Sequence, residues 1–187
     1  MHCRQEMRFI NEKTALERLA EIRSRFAERI RHDFEHAAKD CLTCETKGAC
    51  CLDAHFVNIR LTRLEAVAIV REIEQLPAEK QASIRRKILD TVERFGLENA
   101  AEDNQQTYAC PLFERDTGCL VHHTAKPLPC IAHACYERKE DLPPDELLQE
   151  REVRVFELSR RTYGSGALPR SLPVALKHLL KARTSAT

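Results

Sequence analysis

Two groups of cysteines constrain this chain more than any other feature of its sequence. The first group runs through CLTCETKGACC and the second through CPLFERDTGCLVHHTAKPLPCIAHAC. A spacing of two residues lets a tight turn aim both thiolates at one ion or cluster, and Gly48 gives the backbone freedom to bring the next thiolates round to it. The sequence therefore predicts a metal site whose ligands are Cys41, Cys44, Cys50, Cys51, Cys110, Cys119, Cys130 and Cys135.

The redox compartment decides between a metal and disulfides. Charged residues at Arg4, Glu6 and Arg8 stand where a secretory signal would need an apolar run, and no stretch of about 18 uncharged apolar residues follows. We therefore expect a cytoplasmic protein with no membrane-spanning segment. In that reducing environment an odd total of nine cysteines favours metal binding, with a secreted disulfide scaffold as the alternative. Cys3 stands apart near the terminus and is interpreted as a free thiol.

Apolar residues at helical spacing predict a mainly α fold. Between Thr14 and Ala38 one apolar stripe recurs every three or four residues, at Leu16, Leu19, Ile22, Phe26, Ile30 and Phe34. The opposite face alternates acidic residues with arginines and is interpreted as solvated rather than as a nucleic-acid surface. Those arginines are Arg23, Arg25, Arg29 and Arg31.

The remaining segments extend the same pattern. A short extended piece ends at Leu61, and Thr62 with Glu65 has the spacing of a capping box that starts a second helix. A third helix is expected from about Ala78 to Phe95, and the residues after it, 97–107, read as a polar loop. Its inner face would carry Ile84, Ile88, Leu89 and Val92. Prolines predict two more helices: Pro143 and Pro144 precede one that stops near Gly164, and Pro173 opens the last.

These elements predict a helical single domain with an irregular, metal-organised cysteine-rich core and at most short strands. Residues 1–40 would form an N-terminal amphipathic helix, 41–140 the cysteine-cluster metal-binding domain, and 141–187 a C-terminal helical extension packed on it. A chain of 187 residues is long enough to bury one such core.

The cysteine motifs then resemble a known family. Their order over residues 41–135 resembles the bacterial YkgJ-type cysteine-cluster proteins, described as a zinc- or iron-chelating domain. The matching features are C-x2-C-x5-C-C, the helix-starting Thr62, Cys110-Pro111-Leu112, Gly118-Cys119 and Pro127-x-x-Cys130. This chain departs from the family at Lys126 and Ile131, where arginines are usual. The resemblance implies a metal centre, and members that include a flagellin lysine methylase look as though they carry a 4Fe-4S cluster.

The identity of the metal stays open at the level of the sequence. Thiolates suit both iron-sulfur clusters and zinc. We expect an iron-sulfur cluster, mainly on the resemblance, and keep zinc as the alternative. Four histidines are further candidates, as ligands that replace a cysteine or as donors to its sulfur, unless they are simply exposed: His55, His122, His123 and His133.

Function remains divided among three classes. The first is a metal-binding interaction module with a protein partner, and the second is an iron-sulfur redox or protein-modifying enzyme, oxidoreductase or methylase-like, although no independent catalytic motif occurs. The third is a zinc-ribbon-like nucleic-acid binder, for which the basic residues are Arg85, Arg86, Lys87, Arg160 and Arg161. A net charge of +1 argues against this third class, because it gives no field that attracts phosphate.

Overall fold

Six α-helices and four two-residue strands form the regular structure of the residues described. The computed structural model describes residues 9–38, 48, 51, 59–98, 107–115, 117–134, 136–165 and 168–184, with side chains to 181. The helices are α1 (Glu12–Asp33), α2 (Arg63–Glu74), α3 (Ala78–Arg94), α4 (Leu128–Ala132), α5 (Asp145–Tyr163) and α6 (Leu172–Thr184). The strands are β1 (Arg60–Leu61), β2 (Phe113–Glu114), β3 (Gly118–Cys119) and β4 (Arg170–Ser171). The prediction of a mainly α fold with short strands is confirmed.

Helix α1 follows its predicted apolar stripe but ends earlier than expected. Its N-cap Asn11 accepts a hydrogen bond from the backbone N–H of Thr14 at 2.8 Å, and the whole predicted stripe lies in or against the core. The α-helix stops at Asp33, and a short 3-10 turn, Glu35–Ala37, follows. The apolar spacing continues through this turn, so the sequence predicted a longer helix. Such spacing does not distinguish a last α-turn from a 3-10 turn.

Helix α2 is the centre of the fold. The predicted capping box is present, because the Thr62 hydroxyl accepts from the N–H of Glu65 at 3.3 Å while the Glu65 carboxylate accepts from the N–H of Thr62 at 3.0 Å. Helices α1, α5 and α6 all pack against α2. Its buried residues lie on more than one face for this reason, and they include Leu64, Val67, Ile69, Val70 and Ile73.

Helix α3 packs against α6, and two predictions for this region were wrong. Ile84, Ile88 and Val92 are buried as predicted, whereas the Leu89 side chain is exposed, with 43% of its surface accessible. Leu97 was expected in a polar loop but is buried in a small apolar cluster with Val92, Tyr108 and Val174. Leu97 is buried because it packs against Val174 on α6, and the local sequence does not reveal this contact.

Two antiparallel strand pairs hold the loops near the helix ends. Strand β1 pairs with β4, Arg60 opposite Ser171, so the starts of α2 and α6 are held side by side. Strand β2 pairs with β3 in a hairpin, Phe113 opposite Cys119.

The predicted fourth helix is α5, which begins after Pro144 and ends at Gly164. Among the described helices, none has the length and apolar character needed to cross a membrane.

Candidate metal centre

The structure describes four of the eight predicted ligands. Cys51, Cys110, Cys119 and Cys130 are all half-buried. The other four, Cys41, Cys44, Cys50 and Cys135, lie outside the described residues, as do Cys3 and His55. The arrangement of the centre can therefore be followed through one cysteine of the first group and three of the second.

A backbone hydrogen bond joins the two cysteine groups. The N–H of Cys110 donates to the carbonyl oxygen of Cys51 at 2.7 Å. The N–H of Cys51 in turn donates to the carbonyl of Gly48 at 2.7 Å, so the end of the first group forms a turn before it meets the second. Cysteines separated by 59 positions in the sequence thus lie next to each other in space.

A second contact between the groups is made by Gly48. Its φ of 76° lies in the left-handed region, which glycine adopts without the steric cost of a Cβ. The ring of Phe113 on β2 lies directly against it, and an ideal Cβ at this position would be 2.0 Å from Phe113 Cζ. The glycine that the sequence pattern singled out is therefore needed for its conformation and also for the space that Phe113 occupies.

A third contact lies at the other end of both groups. Ala38, three residues before Cys41, forms an antiparallel bridge with Tyr136, which directly follows Cys135. The Tyr136 hydroxyl is buried, and none of the described residues supplies it with a hydrogen-bond partner. The chain entering the first cysteine group is thus held beside the chain leaving the second.

The three described cysteines of the second group share one neighbourhood. Cys119 lies on β3, Cys130 on α4, and the carbonyl of Cys110 accepts the N–H of Phe113 at 3.0 Å, which closes the turn into the hairpin. Burial raises the pKa of the Cys130 thiol, and the nearby Cys110 raises it further, as does Cys119. Within the described ranges, no three His, Cys, Asp or Glu side chains converge closely enough to form a metal site by themselves.

The described histidines differ in their surroundings. His122 and His123 are exposed and pack edge to face, with ring centroids 4.6 Å apart. Partial burial lowers the pKa of His122, and Lys126 and His123 lower it further. His133 is half-buried at the end of α4, between Cys130 and Cys135. Of these three side chains, His133 is the one whose burial and position are closest to those of the cysteines.

The charge of Glu65 acts on Cys130, a relation that the sequence did not reveal. Its carboxylate is close enough to Cys130 for its charge to raise the pKa of that thiol. Burial raises the pKa of Glu65 itself, while hydrogen bonds from Thr62 and the charge of Arg23 act in the opposite direction. The capping-box pattern placed Glu65 at the start of α2 but gave no sign of these long-range neighbours.

Arg23 corrects the expectation of a fully solvated arginine face on α1. Arg25 is exposed and pairs with Glu21 at 2.5 Å, as expected, and Arg29 pairs with Asp33. Arg23 instead is half-buried, and its guanidinium donates to the carbonyl of Thr124 at 2.6 Å, in the loop before α4. Burial lowers its pKa, which nearby Glu65 partly offsets. The sequence did contain a sign of this burial. Arg23 is four residues after Leu19 and three before Phe26, a spacing that places it beside the apolar stripe.

The hairpin that carries Cys119 is also tied to α3. Glu114 on β2 pairs with Lys80, and its other oxygen is 3.5 Å from the Nζ of Lys87. The hydrogen bond from Lys80 and the charges of both lysines hold the pKa of Glu114 below its ordinary value. Sequence reasoning missed this contact because the partners are 27 and 34 positions apart and no local pattern links them.

A comparison with protein-family models, with curated proteins and with solved structures finds no match to this chain. The resemblance to the YkgJ-type cysteine-cluster proteins therefore rests on the order of the motifs in the sequence.

Proposed function

We propose that this chain is a metal-binding protein in which the two cysteine groups together hold an iron-sulfur cluster, with zinc as the alternative metal. The ligands would be the eight cysteines that the sequence predicts. When bound, such a cluster supplies a site that can exchange an electron, whereas zinc would supply a rigid crosslink.

The observation that carries this proposal is the hydrogen bond between Cys51 and Cys110. A metal centre with ligands from both groups requires that the two loops meet, and this bond supports that arrangement. The packing of Gly48 on Phe113 and the bridge between Ala38 and Tyr136 point the same way. Contacts at three separate places make a chance approach of the two loops a poor explanation.

The donor chemistry of the described residues fits a thiolate-bound centre. Burial raises the pKa of Cys130, and the charge of Lys126 offsets this only in part, so a neutral thiol is favoured when no metal is bound. A bound metal reverses this preference, because thiolates are its ligands and binding releases their protons. The buried Tyr136 hydroxyl has no acceptor among the described residues, and a metal-bound sulfur is an acceptor that would satisfy it.

The chain's own residues would then position the centre from two sides. Helix α4 presents Cys130 while packing against α1 and α5. The hairpin presents Cys119 and is fixed to α3 through Glu114. Because these anchors belong to different helices, metal binding would stabilise the packing of the whole bundle as well as the loops.

The test is metal and acid-labile sulfide analysis, with a visible absorption spectrum, on protein purified without oxygen. Iron with matching sulfide supports the cluster, and zinc without sulfide supports the structural module. Cys44→Ala and Cys130→Ala, one from each group, should both lose metal and much of the unfolding free energy, while Cys3→Ala should change neither. Wild-type protein without metal, or both variants fully metallated and equally stable, would overturn the proposal.

A further inference from the structure

A groove opens on the surface between helix α5 and the loop that leads into β4. Its volume is about 500 Å³. Helix α5 contributes Glu152, Val153 and Phe156, the loop contributes Leu168, and the start of α2 contributes Glu65.

The walls of the groove expose large apolar side chains. Leu168 has 71% of its surface accessible and Val153 has 56%, which makes them two of the five exposed large hydrophobic residues in the described part of the chain. Phe156 lies between them in sequence and is half-buried in the same groove. Neighbouring exposed apolar side chains around a concavity gain free energy when a ligand covers them.

Two carboxylates accompany these apolar walls. Glu65 is buried and already accepts hydrogen bonds from Thr62, at 3.0 Å from the N–H and 2.8 Å from the hydroxyl. Glu152 is exposed to the groove, and none of the described residues pairs with it or donates a hydrogen bond to it. Partial removal from water raises the pKa of Glu152, and no positive charge among the described residues offsets that effect.

The cations around the groove do not neutralise Glu152. Arg60 lies at the rim, where its guanidinium donates to the carbonyl oxygen of Pro169 at 2.8 Å. Arg23 approaches from the side of α1, and its charge acts on Glu65. Glu152 is thus a carboxylate beside apolar side chains, and no cation of the described residues pairs with it.

We propose that this groove is the docking site for a lysine or arginine side chain of a partner protein. The aliphatic part of such a side chain would lie on Val153 and Leu168, and its charged end would meet Glu152. Lysine and arginine are the side chains that combine an apolar stem with a cation. This inference rests on the groove alone and holds whichever metal the cysteines bind.

Fluorescence anisotropy of a labelled peptide tests the proposal on the full chain with its metal. The probe is a fluorescein-labelled peptide of sequence GSLKLSG, and two matched peptides replace its lysine with norleucine or with glutamate. The lysine peptide should bind more tightly than the norleucine peptide, by up to about fivefold, which is the upper end for one ion pair with an exposed carboxylate. The glutamate peptide should bind more weakly still.

Variants separate the groove from general electrostatic attraction. Glu152→Gln should weaken binding of the lysine peptide by up to about fivefold and leave binding of the norleucine peptide unchanged, and Leu168→Ser should weaken both. Glu150→Gln is the matched control, because Glu150 lies on the same helix, is exposed, pairs with Arg151 and does not line the groove. All three substitutions change exposed side chains, and unchanged helical circular dichroism checks the fold.

Four results would overturn the proposal. They are absence of binding at millimolar protein, equal affinity for the three peptides, equal loss of binding in Glu150→Gln and Glu152→Gln, and a dimer in sedimentation that Val153→Asp dissociates. The last result would mean that a second copy of the chain covers the apolar walls. The metal content of Glu152→Gln should match that of the wild type, so failure here is distinguishable from failure of the metal proposal.

Discussion

Replacing Gly48 with alanine tests directly whether the two cysteine groups are packed together as described. A Cβ at this position would be 2.0 Å from Phe113 Cζ and 2.4 Å from Cε2. The Cζ atom lies on the rotation axis of the ring, so flipping the ring does not move it, and the whole side chain must swing away. Alanine at a φ of 76° adds the ordinary cost of the left-handed region.

The expected loss of unfolding free energy is the sum of the conformational cost and the cost of the clash with Phe113. The left-handed conformation costs about 1–2 kcal/mol for a residue with a Cβ, and overpacking costs about 1–3 kcal/mol. Gly48→Ala should therefore lower the unfolding free energy by about 2–5 kcal/mol, which for a chain of this size is a fall of about 4–20 °C in Tm. Urea unfolding and thermal melting followed by circular dichroism measure both quantities.

Two further variants isolate the contact with Phe113. Gly118→Ala is the matched control, because Gly118 has a φ of 87° but an added Cβ would meet no atom within 4 Å, so it should lose only the conformational term of about 1–2 kcal/mol. Phe113→Leu in the Gly48→Ala background should recover about 1–3 kcal/mol, measured as a double-mutant cycle. Equal losses in the two glycine variants, with no coupling to Phe113, would refute the described packing of Gly48.

Two other predictions concern Glu65 and Glu114. Thr62→Ala should lower the unfolding free energy by about 1–2 kcal/mol, because the cap and the hydroxyl bond to buried Glu65 are lost, whereas Thr62→Ser should retain most of it in urea titrations. The lowered pKa of Glu114 means that its pairing with Lys80 stabilises the fold above the unfolded-state pKa of about 4.3, and that this contribution disappears as the pH falls through the folded-state value. Glu114→Gln should thus cost up to about 1 kcal/mol at pH 7 and nothing in strong acid; a difference that stays constant with pH would contradict this assignment.

Local patterns predicted the helices where their causes are local. The capping box of Thr62 and the prolines before α5 and within α6 act over a few residues, so the starts of these helices could be read directly. The apolar stripe of α1 was likewise sufficient to identify its buried face. Leu89 was misassigned because it directly follows Ile88 in the sequence. The sequence alone does not show whether the contact with the next helix is wide enough to bury both side chains.

The sequence by itself determined the helical class, the helix starts and the eight cysteines as the candidate ligands, because spacing and side-chain chemistry act within single segments. Only the tertiary structure decided that Cys51 meets Cys110, that Arg23 leaves the solvated face for Thr124, and that Glu152 faces an apolar groove. Each of these contacts joins residues that are more than 50 positions apart or depends on a surface built from several elements. Such contacts follow from how the helices pack around α2, and no local pattern in the chain encodes that packing.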